Sequence, residues 1–437
     1  MLDINFNYKL LEKNKMNSFL KTIKNNYEIN DISLENPFYY LFKRQKHNEI
    51  ILNHKYHLIE LKKKGKRIGT NGRFYYAKLL TNKNKYKYSH IFIKESPIIS
   101  YNNISRYLEY KNNKCIISNK SLYQIPYLIN SMNNPSYIHN FISYLLSKCV
   151  EENFILNFPL FYGSCSTVMN KYTYPMNKDT YDTIEEEIDE IDNDVKIYCY
   201  DDDDFYLELR NTPIILSCHE KINHTFINLL SKKELEIDEW YSFLFQIYFS
   251  LKFIQNHFSL VHNDLHIGNI LYKYTDKKYL YYFINNKYYK IPTFNRIYII
   301  IDWERATFVF NDVYYYNNVY LSNNDCSGQY YYHTYNSSNK KIKLPNMSFD
   351  ITFLVSSIMN FYEEETNLSL NKELFYYFID ILIDKNGNII NYNNQSFSLY
   401  EYISNNSING IPKNRLCDSI FKKFKILKKD VLGDVYF

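Results

Sequence analysis

Polar residues set into an otherwise apolar stretch restrict a chain more than hydrophobic runs do, because each needs a partner or a task. The stretch Val261-His262-Asn263-Asp264-Leu265-His266-Ile267-Gly268-Asn269-Ile270-Leu271 is such a case. Asp264 and Asn269 stand five residues apart, and a second aspartate, Asp302, follows a run of isoleucines in Ile301-Asp302-Trp303-Glu304. One carboxylate to orient a hydroxyl, with an amide and a carboxylate to hold metal on nucleotide phosphates, is the polar equipment of phosphoryl transfer. A simple capped turn would account for Asp264 and Asn269 but not for Asp302.

At 437 residues the chain has length for two lobes and a sizeable core. Its Tyr 48 and Phe 30 exceed ordinary usage while Gly 9 and Pro 10 fall below it, a bias that an AT-rich coding sequence also produces. The tyrosines therefore carry no functional weight here. Seven scattered cysteines without C-x-x-C spacing indicate neither a disulfide framework nor a zinc site. With no apolar run of about 18 residues and no signal-like N-terminus, a cytoplasmic protein without a transmembrane segment is expected. The net charge of +5 conceals 14 acidic residues against one lysine at 179–208. The lysines elsewhere are dispersed beside asparagines, as on an ordinary solvated surface, which argues against nucleic-acid binding.

Residues 1–50 show weak periodicity and read as a helical extension packed on a first lobe at 51–222. Within that lobe, 73–80 and 90–94 read as strands joined through Thr81-Asn82-Lys83-Asn84. Ile138, Phe141, Ile142, Leu145, Leu146 and Cys149 repeat at helical spacing and predict a helix over 136–152. Residues 157–163 read as a buried strand ending in a turn at Gly163. The acidic run at 179–204 reads as a mobile inserted loop. A strand at 213–217 precedes the second lobe at 223–437. There, a helix at 238–258, a hairpin around Asn285-Asn286, a strand at 296–302, an irregular polar stretch at 311–346 and further helices are expected.

With these motifs in this order, His262-x-Asp264-Leu265-His266-x-x-Asn269 plus Ile301-Asp302 resembles the eukaryotic-type protein kinase superfamily. Four further phrases resemble the serine/threonine protein kinases of large cytoplasmic DNA viruses. They are Phe92-Ile93-Lys94-Glu95-Ser96-Pro97, and Asn157-Phe158-Pro159-Leu160-Phe161-Tyr162-Gly163; then Tyr279-Leu280-Tyr281-Tyr282 with Lys287-Tyr288-Tyr289-Lys290-Ile291-Pro292; and Ile411-Pro412-Lys413-Asn414 with Phe421-Lys422-Lys423-Phe424. The resemblance spans about 65–425 and implies an α+β, two-lobed protein kinase-like fold, with a β-rich N-lobe and a mainly helical C-lobe. It implies ATP and Mg²⁺ as cofactors, protein substrates phosphorylated on Ser or Thr, and a host-cytoplasmic or virion location.

Under that resemblance Asp264 is the catalytic base or hydroxyl-orienting group, and Asn269 and Asp302 are the metal ligands. Lys94, a charge in the apolar strand Ile91-Phe92-Ile93-Lys94, aligns with the lysine that holds the α- and β-phosphates. Lys78 competes for that role but suits an edge strand better. Gly69 and Gly72 would let the backbone approach the phosphates, although Gly69-Thr70-Asn71-Gly72 is also an ordinary hairpin turn. Ser217, Cys218, His219 and Glu220 are the expected hinge whose backbone pairs with adenine. Asp350 is the expected buried brace of the catalytic loop.

Three departures from the family pattern stand out. Asp302-Trp303-Glu304 replaces Asp-Phe-Gly, Asn263 replaces the arginine that reads loop phosphorylation, and the helix after Lys94 offers His139 or Asn140 where a glutamate is expected. These leave two alternatives to a protein kinase. One is a small-molecule phosphotransferase of the aminoglycoside or choline kinase type, suggested by Leu265-His266-x-Gly268-Asn269 and Trp303-Glu304. The other is a weakly active or inactive binding module.

Overall fold

The computed structural model describes residues 13–34, 38, 54–62, 65–68, 71–100, 103–104, 129–176, 178, 181–182, 195–200, 204–321, 324–330, 344–365, 368–393 and 396–437. These form a mixed α+β structure around a curled antiparallel sheet. Helix α1 (Lys13–Asn26) presents Met16, Phe19, Ile23 and, just beyond its end, Tyr27 to the sheet's core, a stripe at helical spacing. Strand β1 (Ile29–Ser33) then pairs with a strand far along the chain, so the N-terminal extension belongs to the sheet rather than merely lying on it.

Strands β2 (Tyr56–Leu61), β3 (Lys66–Ile68), β4 (Gly72–Thr81) and β5 (Tyr86–Pro97) follow as antiparallel neighbours. The expected connection at Thr81-Asn84 is a tight turn, with Asn84 at φ 57°. In β5 the period-2 rule divides the work. Ile91 and Ile93 enter the apolar core, while Phe92 and Lys94 face the opposite way into a cavity. Helix α2 (Pro135–Glu151) starts at a proline behind the N-cap Asn134, whose side chain accepts from the Ser136 N–H.

Strand β6 (Phe161–Met176) corrects the reading of 157–163 as a strand that ends in a turn at Gly163. Gly163, at φ 127°, sits where the register shifts near the start of a long strand, so the glycine serves a bulge. The acidic run is also partly strand. Strand β7 (Val195–Tyr200) pairs with β8 (Asp204–Glu220), whose alternating Leu207 and Leu209 enter the core and recruit the segment to the sheet. Of the expected mobile loop, 179–180, 183–194 and 201–203 lie outside the described residues. The sheet order is β1-β6-β8-β5-β4-β2, with β3 on β4 and β7 on β8.

After β8, residues 221–223 lead without sheet pairing to β9 (His224–Thr225) and a short helix α3 (Phe226–Leu230). Helix α4 (Ile237–Phe258) is closed at its start by a capping box between Glu236 and Glu239 and ended by Ser259 at φ 45°. A 3-10 turn precedes β10 (Ile270–Tyr274), which then pairs with the later strand β13. Strands β11 (Tyr279–Ile284) and β12 (Lys287–Pro292) form the expected hairpin. Asn285 and Asn286, at φ 50° and 60°, supply the two left-handed positions of its turn.

Strand β13 (Arg296–Ile300) is buried throughout and leads into Ile301-Asp302. A turn at Asn311-Asp312 joins β14 (Phe308–Phe310) to β15 (Val313–Tyr315), so the stretch read as irregular from 311 begins with a hairpin. Helices α5 (Phe349–Glu364), α6 (Lys372–Leu382), α7 (Phe397–Asn406) and α8 (Pro412–Arg415) complete this region. Near the chain's end, β16 (Lys425–Ile426) and β17 (Val435–Tyr436) flank the β12–β11 hairpin. The sheet with α1 has one large apolar core, and α2, α4, α5 and their neighbours share another. Among the described residues no helix is long and apolar enough to cross a membrane.

Candidate active site

The loop after α4 is held from behind. Val261 exchanges backbone hydrogen bonds with Thr307. The next two N–H groups, of His262 and Asn263, donate to Asp350 Oδ2 and Oδ1 at 3.0 and 2.9 Å. Asp350 is fully buried on α5, and this double bond is the backbone brace expected of it. His262 Nε2 lies 2.8 Å from the Ile301 carbonyl, which ties the loop to the end of β13. Asn263 adopts φ 63°, a conformation asparagine tolerates well. Its amide donates to the carbonyls of Val261 and Arg305 and to Thr307 Oγ1, and its oxygen accepts from the Tyr330 hydroxyl at 2.5 Å.

This bracing presents Asp264, Asn269 and Asp302 on adjoining loops. Asn269 Nδ2 donates to the Asp264 carbonyl at 2.9 Å, and the Ile301 N–H donates to the Asn269 carbonyl at 3.1 Å. With its nitrogen committed, Asn269 has a side-chain oxygen with no hydrogen bond among the described residues. His266 Nδ1 accepts from the Gly268 N–H at 3.1 Å, so its proton sits on Nε2. A Cβ on Gly268 would lie 2.7 Å from that imidazole, which explains the glycine.

Lys94 reaches this region from the sheet. Its Nζ lies 2.7 Å from Asp302 Oδ1 and 3.0 Å from Glu304 Oε1, and Ser96 Oγ donates to Glu304 at 2.9 Å. Burial by itself would lower the Lys94 ammonium's pKa, but Asp302 and Glu304 outweigh it and raise the value. Burial would likewise raise the Asp302 carboxyl, and Lys94 reverses that, holding it well below the usual carboxylate range. The second carboxylate on Lys94 thus comes from Glu304, and α2 supplies none among the described residues. His139 takes the helix position instead. Its Nδ1 accepts from the Trp303 N–H at 3.1 Å and lies 3.8 Å from Asp302. Burial, then Lys94, drives its pKa far down, so it is a neutral imidazole.

His139, Asp302 and Glu304 have ligand atoms within 4.8 Å of one another. The cation that bonds both of these carboxylates is the Lys94 ammonium.

Of these groups, Lys94, His139 and Asp302 line a cavity of about 490 Å³ between the sheet and the helical region, and Glu304 does not. Phe74 and Phe92 come from β4 and β5, and Leu271 and Ile301 from the opposite side, making an apolar slot suited to a flat ring. Lys94 and Asp302 stand at its polar part, with His139 and His219. Neither histidine's Nε2 has a hydrogen-bond partner among the described residues, although both are buried. His219 is lowered to about 3, by burial first and Lys94 second.

The expected hinge needs correction. Ser217, Cys218 and His219 pair on both sides, with β5 and β6, so their backbone groups are consumed by the sheet. Ser217 and Cys218 are fully buried and do not line the cavity. His219 and Glu220 do line it, and Glu220, the strand's last residue, also bonds to the Leu160 N–H and Lys273. Residues 221–223, which lie outside the strands, run beside the cavity, with Ile222 and Asn223 in its wall. Gly72 also has another explanation. It pairs with Lys94, and a Cβ there would lie 2.2 Å from the Phe92 ring, so it serves sheet packing. Gly69 lies outside the described residues. Lys78, the alternative to Lys94, pairs with Tyr88 and covers the Tyr86 ring, away from the cavity.

Two groups on Asp264 were not read from the sequence. Tyr400, on α7, donates its hydroxyl to Asp264 Oδ1 at 2.7 Å, and Arg305 Nη1 lies 3.3 Å from the same oxygen. The Arg305 guanidinium stacks 4.9 Å from the centre of the Tyr400 ring. Burial, then Asp264, raises the Tyr400 phenol above its ordinary value, so it stays protonated. No spacing links Tyr400 to the loop, while Arg305 follows Glu304 directly and could have been flagged by position. No family model matches the chain, and no curated protein matches it.

Proposed function

We propose that this chain is an ATP- and Mg²⁺-dependent kinase that transfers the γ-phosphate to Ser or Thr hydroxyls of proteins, on a two-lobed kinase-like fold. The observation that carries the reading is the meeting of Lys94, from the sheet, with Asp302 beside Asn269 and Asp264, on loops braced by Asp350. The apolar slot takes the base, and the backbone at 221–223 offers its polar groups to that base's edge. Lys94 meets phosphate oxygens. Glu304 gives it a second carboxylate, so Asp302 can serve a cation without leaving the ammonium unpaired.

The side-chain oxygens of Asn269 and Asp302 fit Mg²⁺, a hard cation that neutralises phosphate charge when bound. His266 presents its Nε2–H to the same region. Asp264 Oδ1 accepts the proton of the acceptor hydroxyl and orients it, a contribution of roughly 10²–10⁴ in rate.

A small-molecule acceptor is the second reading, favoured by Tyr400 and Arg305 closing over Asp264 where a peptide groove would be open. Labelled ATP offered with protein mixtures and, separately, with amino alcohols tests both, using wild type beside Asp264→Asn. Label on protein that falls roughly 10²-fold or more in the variant is expected. Label on amino alcohols alone selects the second reading. ATP binding without transfer to any protein, the chain itself included, overturns the proposal.

A further inference from the structure

Asp264 already holds a hydroxyl. The Tyr400 oxygen lies 2.7 Å from Oδ1, the hydrogen-bond distance at which an acceptor's oxygen must sit if this carboxylate is to orient it. The contact is built, not incidental. The Tyr400 ring packs against Phe353 at 4.4 Å and near Phe349 and Phe397. The Arg305 guanidinium also lies over the ring, 4.9 Å from its centre, and itself binds Asp264. Arg305 is anchored in turn, since its carbonyl accepts from Asn263 Nδ2 and from the Tyr320 hydroxyl. A half-buried phenol is thereby directed at the carboxylate proposed to orient the acceptor hydroxyl.

We propose that Tyr400 is a phosphorylation site which the chain modifies on itself, within one molecule. The inference rests on the kinase reading of the site, but not on its preference for Ser or Thr. The phenol oxygen attacks the γ-phosphorus of bound ATP, and the new O–P bond forms as the bond between the γ-phosphorus and the bridging oxygen breaks. ADP leaves with that electron pair, and the phenol proton passes to Asp264 Oδ1 and then to water. The product adds about −1.5 to −2 charge beside the Asp264 carboxylate. Repulsion between them drives Tyr400 out of the acceptor position, with Arg305 at hand as counter-charge, and opens Asp264 to other hydroxyls.

The test incubates the full chain with Mg²⁺ and ATP and maps phosphate by mass spectrometry, while calorimetry follows nucleotide binding. Phosphotyrosine at 400 is expected, with a rate per molecule constant over on the order of a hundredfold range of protein concentration, because the step is intramolecular. Tyr400→Phe keeps the ring and binds nucleotide but loses that phosphate. Asp264→Asn slows its appearance roughly 10²-fold or more. Phosphate elsewhere with Tyr400 unmodified, or a rate that climbs with concentration, overturns the inference. Failure to bind nucleotide at all overturns the kinase reading as well, and calorimetry separates that case from the others.

Discussion

Asp302 and Asp264 stand on adjoining loops, each beside a cation, yet they are held by different parts of the molecule. Asp302 is gripped by Lys94 on β5 and approached by His139 on α2, residues that come from 208 and 163 positions earlier in the chain. Asp264 is held by Arg305, three positions after Asp302, and by Tyr400 on α7. The ionisation of Asp302 therefore depends on the sheet staying seated against the loops, whereas Asp264 keeps its partners through the helical region alone. One carboxylate registers whether the cleft is assembled; the other is indifferent to it.

Substituting each aspartate in turn separates the two. Asp302→Asn is expected to reduce phosphoryl transfer roughly 10³-fold, about 4 kcal/mol of transition-state stabilisation, and to abolish the Mg²⁺ dependence of nucleotide binding. Asp264→Asn leaves that dependence in place. Calorimetric titrations with and without Mg²⁺ check the contrast, and equal behaviour of the two variants would erase it.

Acid reaches the two sides unequally. His219 has a folded pKa of about 3, whereas an unfolded histidine titrates near 6.5. Between those values the unfolded chain binds a proton that the folded chain refuses. Stability is therefore lost as pH falls through that window, by up to about 1.4 kcal/mol per pH unit for each such histidine. His139 acts in the same direction. His219→Gln should flatten the pH dependence of the urea midpoint below about pH 6 by up to one proton. An unchanged slope would mean that His219 is not held neutral behind Asp302.

The smallest expected effect concerns Glu304. Because Asp302 still pairs with Lys94, Glu304→Gln should weaken nucleotide affinity only about three- to tenfold, or roughly 1 kcal/mol. A loss as large as that of Asp302→Asn would reverse the ranking of Lys94's two partners.

What could be read from the sequence follows the same division. Asp264, Asn269 and Asp302 were legible because each is a polar residue in a local apolar frame, and Lys94 because a charge inside Ile91-Phe92-Ile93 demands a partner. Glu304 was in plain view but counted as a lost glycine. Its value lies in reaching a lysine on another sheet, which no local pattern records. A hinge was expected at Ser217 to Glu220 because Ser217 and His219 interrupt an apolar run, as if the strand were ending. Ser217 instead bonds to Asn140 on α2, and His219 points into the cavity. The β7–β8 pairing was hidden by aspartates at the turn, which masked the alternation of Leu207 and Leu209. Tyr400 had no signal at all: it is one tyrosine among 48, and only folding brings it to Asp264.

Asn263 has a wider consequence. Its single carboxamide is shared by Val261, Arg305 and Thr307, on the two segments that cross behind the cleft, and by Tyr330 from a later segment. Parts fastened to a common knot cannot work loose one at a time. Thermal fraying at any of the four unmoors the rest, so this corner of the molecule opens as a block or stays shut.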